Sequence, residues 1–440
     1  MSDTAHTPPG PPLIGNVSRF VDDPLRFLTG VQEAYGGQYR FVRLDPPVGP
    51  RFSVVLDPSV VHDVLADRDR FRRPAVGPEE QQRQGLLSSD GILWEQQRSV
   101  LQPSFVGGKL AEYAAVSSDT IESMIADWPA NGTVDLHEEL SVLTLRVITR
   151  SLFSRDTDID RAKAIHEAMG TLSAEFEPNL TDFLLPERLR PGPSAEFEAA
   201  DRTIEGVARE FVDWHLSQAA PPDDMITALI EAQSDPSVEL SDDELIDEAV
   251  LFMTGGQETT ALTITYAFHW LSRHPDLRRR VAEEARSVLG GDPPTWEDLS
   301  ELTHTERVVR ETLRLTPAVW NIARELRRDT TLAGTEFEAG EALLMSPYAH
   351  HRDSRAWTDP LSFRPDRWAG EVSRGHDSYF PFGSGPRACI GKQIALTEAQ
   401  FTLAHVLQEF DVELRQEALS LQPSVTLRPT GPVRASVTAR

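Results

Sequence analysis

The only cysteine of the chain, Cys389, lies in a short loop whose residue types are suited to a thiolate that binds a ligand. Residues 381–391 read PFGSGPRACIG and directly precede an apolar, helix-like segment. A helix N-terminus presents free N–H groups and the positive end of a dipole, which stabilise a thiolate. Gly383 and Gly385 allow a tight turn, and Arg387 offers a forked cation for a carboxylate. A lone cysteine is usually a small buried hydrophobe, but these neighbours favour a functional thiolate.

A second group lies in the middle of a long apolar segment, where residues 255–260 read GGQETT. Each glycine inside a helix costs about 1 kcal/mol relative to alanine, so Gly255 and Gly256 indicate a place where side chains are excluded. Thr259 could bond back to a carbonyl of the preceding turn. A buried Glu258 would need a partner or a role in proton handling. A kinked helix or close helix packing, with Glu258 exposed, explains this pattern equally well when it is taken alone.

Three further polar groups have spacings that would bring side chains together. Glu311 and Arg314 are three residues apart on a predicted helix, so both lie on one helix face. Alone, such a pair would be an ordinary surface ion pair worth about a few tenths of a kcal/mol. Residues 363–368 read FRPDRW and form an irregular stretch shortly before the cysteine loop. Trp94 and Arg98 are four residues apart and share a face of another predicted helix.

The elements that must position these groups are mostly helical. Residues 241–244 read SDDE, a capping box, and the predicted helix continues to residue 273, shortly before a proline. At 1.5 Å per residue this helix is about 50 Å long. It is apolar on nearly all faces, which predicts burial through the centre of a domain. A second helix is predicted for residues 391–410. Short strands are predicted for residues 38–44, 51–56, 322–326 and 342–345, and loops for residues 72–91, 177–193 and 219–224.

These patterns predict a mainly α fold with small β-sheets, of the α+β class, in a single domain over residues 1–440. Residues 1–16 form an extended, proline-rich N-terminal segment that has neither the basic flank nor the apolar core of a signal peptide. No apolar run approaches the ~18 residues of a membrane span. We therefore expect a soluble, cytoplasmic protein without a membrane anchor.

Composition and charge exclude several classes of protein. With one cysteine among 440 residues, the chain is not a disulfide scaffold, a zinc ribbon or a cysteine-ligated iron–sulfur protein. Its 69 acidic and 43 basic residues give a net charge of −26, which does not fit a nucleic-acid binder. Lysine occurs only as Lys109, Lys163 and Lys392. Either a salt-adapted or a GC-rich source explains this composition.

In this order and at these separations, the five motifs together resemble the haem-thiolate monooxygenases, the cytochrome P-450 family. The cysteine loop matches the family pattern F-x-x-G-x-R-x-C-x-G at every fixed position, and residues 255–260 match [A/G]-G-x-[D/E]-T-T. The likeness covers nearly the whole chain. It implies the cytochrome P-450 fold, a triangular, helix-rich single domain with a long central helix over the haem.

The resemblance implies roles for single residues. Cys389 would be the axial thiolate ligand of the iron in haem b (iron protoporphyrin IX), with Phe382 packed beside it. Glu258 and Thr259 would be the catalytic acid–alcohol pair that delivers protons during oxygen cleavage. Four residues would hold the haem propionates, namely Arg387, Trp94, Arg98 and Arg324. Three glycines would lie near the haem, namely Gly383, Gly255 and Gly256.

The resemblance also implies a structural role for Glu311, Arg314 and Arg367, as a buried charge cluster that fixes the fold on the cysteine side. Removal of one member would leave the others unpaired in the interior. We therefore expect loss of haem incorporation rather than a kinetic defect. Four segments would line an apolar substrate pocket, namely residues 72–91, 177–193, 249–253 and 318–322.

The implied activity is insertion of one atom of O2 into a hydrophobic small molecule, by hydroxylation or epoxidation of a fatty acid, terpenoid, steroid or polyketide. The sequence contains no flavin or nicotinamide fingerprint and no reductase domain is expected, so electrons should come from a separate ferredoxin or flavodoxin-type donor with its reductase. That donor would dock on the cysteine side, near Lys392 and Arg364. We expect a monomer that binds neither nucleic acid nor membrane.

Two other functions remain open on the same fold. The chain could be a peroxygenase, or an isomerase acting on peroxides, that needs no redox partner. It could also be a haem sensor or carrier without turnover. The presence of both Glu258 and Thr259 disfavours these alternatives, because neither function requires proton delivery to oxygen.

Overall fold

The computed structural model describes residues 5–8, 15–46, 51–74, 83–178, 192–236, 238–370 and 377–440. Most of the proline-rich segment predicted for residues 1–16 lies outside the described residues, as do parts of the loops predicted for residues 72–91 and 177–193. Residues 219–224 lie between two helices without regular structure, as predicted.

Helices make up most of the described chain. Their bounds are α1 (Ser18–Asp22), α2 (Pro24–Tyr35), α3 (Pro58–Ala66), α4 (Gly91–Leu101), α5 (Gly108–Ala126), α6 (Leu136–Leu152), α7 (Ile159–Glu175), α8 (Ala195–Ser217), α9 (Met225–Gln233), α10 (Asp242–Arg273), α11 (Pro275–Leu289), α12 (Thr303–Leu315), α13 (Pro347–His350) and α14 (Lys392–Glu409). Short 3-10 turns cover Gly15–Val17, Gln102–Phe105, Glu297–Ser300 and Pro365–Trp368.

The strands are short and form small sheets. Their bounds are β1 (Phe41–Leu44), β2 (Phe52–Val55), β3 (Phe71–Arg72), β4 (Asn131–Asp135), β5 (Ile322–Leu326), β6 (Thr330–Leu332), β7 (Thr335–Phe337), β8 (Ala342–Met345), β9 (Phe410–Leu414), β10 (Leu421–Pro423), β11 (Leu427–Pro429) and β12 (Arg434–Ala439). The largest sheet has the strand order β1-β2-β8-β5-β3, and within it only β2 and β8 pair in parallel. A second sheet has the order β4-β12-β9, and β10–β11 and β6–β7 form two-stranded ribbons.

The long helix α10 begins at the predicted capping box. The Glu244 amide donates to the Ser241 hydroxyl at 3.2 Å, and the Ser241 amide donates to the Glu244 carboxylate at 2.7 Å, so both orphan donors are satisfied. The helix packs against α6, α8 and α14 and is buried along residues 260–268. Within the described residues no helix, α10 included, is both long enough and apolar enough to cross a bilayer.

Helix α14, which follows the cysteine loop, is buried in the same apolar core as α10. Phe401, Leu403, Val406 and Leu407 are fully buried, and they belong to the cluster that also contains Ala261, Ile264 and Phe268 of α10. The cysteine loop is therefore anchored at its C-terminal end by a core helix.

The mainly α architecture with small sheets agrees with the sequence prediction. The four predicted strands coincide with β1, β2, β5 and β8, and β1 pairs with β2 as the expected antiparallel hairpin. The sequence patterns did not predict the short strands β3 and β4 within the helical half of the chain. They also did not delimit the C-terminal strands, residues 410–439.

Candidate active site

The cysteine loop is closed by hydrogen bonds of its own backbone. The Cys389 amide donates to the Phe382 carbonyl at 2.9 Å, and the Ala388 amide donates to the Gly385 carbonyl at 3.0 Å. Gly383 and Gly385 have φ angles of +70° and +72°, a conformation that side chains disfavour. The expected tight turn is present, and it fixes where Cys389 emerges.

Gly385 is also pressed against the backbone at the end of α3. A Cβ atom at this position would lie 2.5 Å from the Leu65 carbonyl oxygen, whereas a Cβ at Gly340, with φ of +85°, would meet nothing within 4 Å. We expect Gly340→Ala to lower the free energy of unfolding by about 1–2 kcal/mol through backbone strain alone. Gly385→Ala should lose more than Gly340→Ala because the loop must also move, and thermal unfolding of both variants measures the difference. Equal losses would show that the contact with Leu65 is unimportant.

The environment of the Cys389 thiol combines access with desolvation. Part of the Cys389 side chain is accessible to solvent, but many protein atoms surround the residue. Burial therefore has the largest influence on the pKa of the thiol. Burial raises the pKa of the thiol, while the Gly391 amide and the charges of Arg98 and Lys392 oppose that rise. The amide at the helix N-terminus thus lowers the pKa of the thiol, as expected, but it does not offset the effect of burial. Coordination to a metal ion would deprotonate such a thiol.

Three arginines surround this region, as the motifs predicted. The Arg98 Nη1 donates to the Ala388 carbonyl at 3.2 Å, next to the cysteine. Burial, together with the nearby charge of Arg387, lowers the pKa of Arg324 to about 10. Among the residues that the structure describes, neither Arg98 nor Arg324 forms an ion pair with a carboxylate. Two half-buried or buried cations without a counter-ion are suited to an anionic ligand.

Trp94 connects α4 to the arginines. Its ring is buried, and the guanidinium carbons of Arg387 and Arg68 lie 4.6 Å and 4.5 Å from its centroid. Arg387 also forms an ion pair with Asp90 at 3.0 Å. Sequence patterns did not identify Arg68 or Asp90, because neither belongs to a recognised motif. Asp90 could have been noticed as the N-cap residue of α4, since it directly precedes the helix. Its carboxylate accepts a hydrogen bond from the amide of Gly91, the first residue of α4.

On α10, Gly255 and Thr259 lie on the accessible side of an otherwise buried segment. Gly255 is exposed in the middle of the helix, and Thr259 is half-buried. The Thr259 hydroxyl donates to the Gly255 carbonyl at 2.8 Å, which is the back-bond expected from the sequence. This face of α10 therefore offers space and a hydroxyl group at adjacent turns.

Gly256 has a different function from Gly255. A Cβ atom at residue 256 would lie 2.6 Å from the Ile148 side chain of α6. This glycine permits α6 and α10 to pack closely, which was the alternative interpretation of the motif. The implied place of Gly256 near the haem stays a prediction.

Glu258 does not share the accessible side with Thr259. Adjacent residues of an α-helix point about 100° apart, and the Glu258 carboxylate is buried beside Arg428, with Oε1 2.7 Å from the arginine Nε. The two residues of the predicted acid–alcohol pair therefore lie on neighbouring faces of α10, and their joint role in proton delivery stays a prediction. Arg428 lies outside every motif, so its role could not be recognised from the sequence.

Phe105 joins the cysteine loop to α10. Its ring stacks on Phe252 of α10 with centroids 5.4 Å apart, and its edge lies 4.0 Å from the position of a Cβ atom on Gly391. The loop that carries the thiol and the helix that carries Thr259 therefore contact the same aromatic ring.

The predicted charge cluster is present, with Glu311 and Arg314 fully buried and the Arg367 side chain 12% exposed. Glu311 and Arg314 are both 0% exposed and pair through two hydrogen bonds, Nε to Oε2 at 2.9 Å and Nη2 to Oε1 at 2.8 Å. The Arg367 Nε donates to Glu311 Oε1 at 2.9 Å, and the Trp368 indole donates to Oε2 at 2.8 Å. Arg314 also donates to the His351 carbonyl at 2.7 Å. The pair is therefore no ordinary surface pair.

His351 connects this charge cluster to the segment that precedes the cysteine loop. Its Nδ1 donates to the Arg314 carbonyl at 3.1 Å, and its Nε2 accepts from the Phe380 amide at 3.1 Å. Burial lowers the pKa of His351 well below its usual value, which agrees with a neutral ring that donates on one side and accepts on the other. The sequence motifs did not include His351, and the structure shows it as a buried residue.

Comparison with known proteins decides the family. A sequence profile for the family described as Cytochrome P450 matches residues 6–435. The chain belongs to the cytochrome P450 family. It is 32% identical to cyclooctat-9-en-7-ol 5-monooxygenase of Streptomyces melanosporofaciens, over 92% of this chain and 88% of that protein. It is 29% identical to pentalenene oxygenase of Streptomyces avermitilis, over 94% and 92%. It is 27% identical to cytochrome P450 3A5 of Homo sapiens, over 98% and 91%.

As a P450, the protein is a haem-thiolate monooxygenase, an oxidoreductase that incorporates oxygen from O2 into its substrate. P450 monooxygenases act on hydrophobic substrates and receive electrons from a redox partner. The residues present fit such a cofactor. Cys389 offers the single thiol of the chain, and Arg98 and Arg324, which pair with no carboxylate in the described part of the chain, suit two propionates.

Proposed function

We propose that this P450 hydroxylates a cyclic terpenoid. The observation that carries the proposal is the similarity, over nearly the whole chain, to two Streptomyces enzymes whose names state oxygenation of cyclooctat-9-en-7-ol and of pentalenene. The residues expected at the pocket are compatible with such a substrate, since Phe252 and Met253 on α10 and Ile322 on β5 are apolar. Fatty acids, steroids and polyketides are the competing substrate classes.

Haem b is the cofactor that we propose, and its thiolate-ligated iron would supply the redox chemistry that cleaves O2. Cys389 would be the axial ligand, with Phe382 beside it. Arg98 and Arg324 would bind the propionates as unpaired cations. Arg387 would do so in competition with Asp90, and Trp94 would keep its guanidinium in place by stacking.

Thr259 is the residue that we propose to pass protons on the accessible side of α10. Its hydroxyl is already donated to the Gly255 carbonyl, which leaves the oxygen lone pairs free to accept from a proton donor. Gly255 would leave room for oxygen beside it. Glu258 would supply protons to this hydroxyl from the neighbouring face of the helix.

Turnover under isotope-labelled O2 tests the proposal. With a ferredoxin chain as electron source, we expect hydroxylated products with one labelled oxygen atom from a panel of cyclic terpenes, and little or no product from matched fatty acids. Product from fatty acids alone would contradict the substrate class. Turnover with hydrogen peroxide but not with the ferredoxin chain would instead support the peroxygenase alternative, and haem binding without any product would support a sensor.

The electron donor that we propose is a ferredoxin or flavodoxin-type protein that docks on the cysteine side. Lys392 is exposed there, and its Nζ lies 5.9 Å from the centroid of Phe382. Arg364 is half-exposed but is paired with Asp359, which reduces its contribution. Lys392 is therefore the stronger candidate for contact with an acidic donor on this acidic protein.

Neutralising Lys392 and Arg364 together should slow electron transfer from an acidic ferredoxin at low salt by up to about tenfold, and it should flatten the salt dependence. Stopped-flow reduction of the haem at several ionic strengths measures both effects. Lys163→Gln, which removes a lysine paired with Glu138, is the control and should change neither. Unchanged rates and salt dependence in the double variant would disprove the docking site.

A single domain over residues 1–440, a monomeric state and a cytoplasmic location stay predictions.

A further inference from the structure

Arg428 connects the proposed proton donor to two other parts of the fold. It lies on β11 in the β10–β11 ribbon, and its Nε is 2.7 Å from Glu258 Oε1 on α10. Its Nη1 donates to the Met169 carbonyl of α7 at 3.1 Å. The two charged side chains are 7% and 15% exposed, so solvent screens their attraction only weakly. The arginine is thereby held from one side while it pairs with the acid on the other.

The groups around this pair leave Arg428 as the charge that acts on Glu258. Tyr266, on α10 itself, has a pKa raised well above its usual value, chiefly by burial, so its hydroxyl is neutral. His137 on α6 and His166 on α7 face Arg428, and burial together with the arginine charge lowers the pKa of each. Both histidines are therefore neutral at physiological pH. Among the described residues, Glu258 is the one carboxylate paired with Arg428.

The protonation of Glu258 results from opposing influences. Burial raises the pKa of this carboxyl above its usual value, whereas the charge of Arg428 and the hydroxyls of Thr426 and Ser173 lower it. The guanidinium lies close to Oε1 without aiming an N–H group at it, so the contact is an ion pair rather than a hydrogen bond. Without the arginine, desolvation would be largely unopposed and the neutral acid would be favoured.

We infer that Arg428 is a positioning residue for proton supply, whose ion pair sets the direction and the charge of Glu258. This inference rests on the proposed role of Glu258 as the donor that replenishes Thr259. Hydroxylation of R–H by O2 consumes two electrons and two protons and yields R–OH and water, so a poor proton supply diverts electrons from product. Hydrogen peroxide brings oxygen that is already reduced and protonated, and its reaction with R–H to give R–OH and water needs no such supply.

The test compares Arg428→Met with Arg428→Lys in the haem-loaded enzyme. The carbonyl stretch of a protonated carboxyl, assigned to Glu258 by its absence in Glu258→Gln, is titrated by infrared spectroscopy. In Arg428→Met this band should persist to a pH about 1–3 units higher than in the wild type, because the opposite charge is gone. Arg428→Lys should restore most of the wild-type titration. Product formed per electron from the ferredoxin chain should fall about tenfold or more in Arg428→Met, while turnover with hydrogen peroxide is retained.

Arg278→Met is the matched control, since Arg278 forms an ion pair with Asp411 at 3.1 Å and donates to the Val412 carbonyl at 3.2 Å, with 11% exposure. It should leave the Glu258 band and the product yield unchanged. If Arg428→Met folds poorly, the double variant Glu258→Gln/Arg428→Met removes both charges, and its yield should equal that of Glu258→Gln alone. An unshifted band in Arg428→Met, or an equal loss of both kinds of turnover, would overturn the inference. A shifted band together with full product yield in Glu258→Gln would instead reject the proposed role of Glu258.

Discussion

Replacing Glu311 by glutamine is expected to yield a protein that binds little or no haem. The Glu311 carboxylate accepts hydrogen bonds from the side chains of Arg314, Arg367 and Trp368, and also from the Arg364 amide at 2.9 Å. An amide cannot accept all of these bonds, and it leaves two buried guanidinium groups without a counter-charge. Loss of one member of such a cluster costs about 3–5 kcal/mol, a large part of the 5–15 kcal/mol that is typical of a folded protein.

The damage should reach the haem through the cysteine loop. Arg314 is linked through His351 to the Phe380 amide, directly before the loop that ends in Cys389. Haem content per protein chain and thermal unfolding measure the effect. Glu306→Gln is the matched control on the same helix, because Glu306 pairs with Arg310 on a partly exposed surface and should change stability by about 0.5 kcal/mol or less. Normal haem content in Glu311→Gln would mean that the cluster does not support the loop.

Replacing Cys389 by serine is expected to abolish reductase-driven turnover without unfolding the protein. Serine has nearly the same size, and the backbone bonds that close the loop, from the amides of Cys389 and Ala388, do not involve the side chain. The serine hydroxyl has a much higher pKa than a thiol and is a poor substitute for a soft anionic ligand. Any haem that binds should therefore lose the spectrum typical of thiolate ligation.

Ser384→Ala in the same loop is the control for this experiment. It removes a hydroxyl that lies 3.0 Å from His62 Nδ1, and it should keep both spectrum and turnover. The thermal stability of the haem-free Cys389→Ser protein should remain close to that of the haem-free wild type. Retained turnover in Cys389→Ser would exclude Cys389 as the ligand.

The sequence was sufficient for the elements whose local signals agree with their environment. Helix α10 could be delimited because a capping box begins it and a proline follows it, while its all-round apolar surface predicted burial. Strand β8 could be placed because it is a short apolar run that follows a glycine-containing turn. Strands β4 and β12 were not delimited, because they pair with each other from distant parts of the chain.

The role of a site residue was predictable where neighbours in its own motif determine its contacts. It was less predictable where a residue far away in sequence determines them. Thr259 and the Glu311–Arg314 pair behave as their spacing suggests. The orientation of Glu258 could not be predicted in this way, because its carboxylate pairs with Arg428, which lies 170 positions further along the chain. Gly256 likewise serves packing because Ile148 of another helix lies against it. Such long-range contacts leave no local pattern.

The separation of Glu258 from Thr259 also affects the choice between functions. The presence of both Glu258 and Thr259 was the reason to disfavour a peroxygenase, and the structure places the Glu258 carboxylate on a neighbouring face of α10, paired with Arg428. The membership of the chain in the P450 family and its named relatives now support the monooxygenase. Comparison of the ferredoxin-driven and the peroxide-driven reactions therefore becomes more informative than the motif was.

The carbon monoxide difference spectrum of the reduced protein tests the central claim most directly. Thiolate ligation of haem iron by Cys389 predicts a Soret band of the thiolate type in the wild type and its absence in Cys389→Ser. A haem-loaded, folded wild-type protein without that band, or a Cys389→Ser variant that keeps it, would contradict the assignment of Cys389 as the iron ligand.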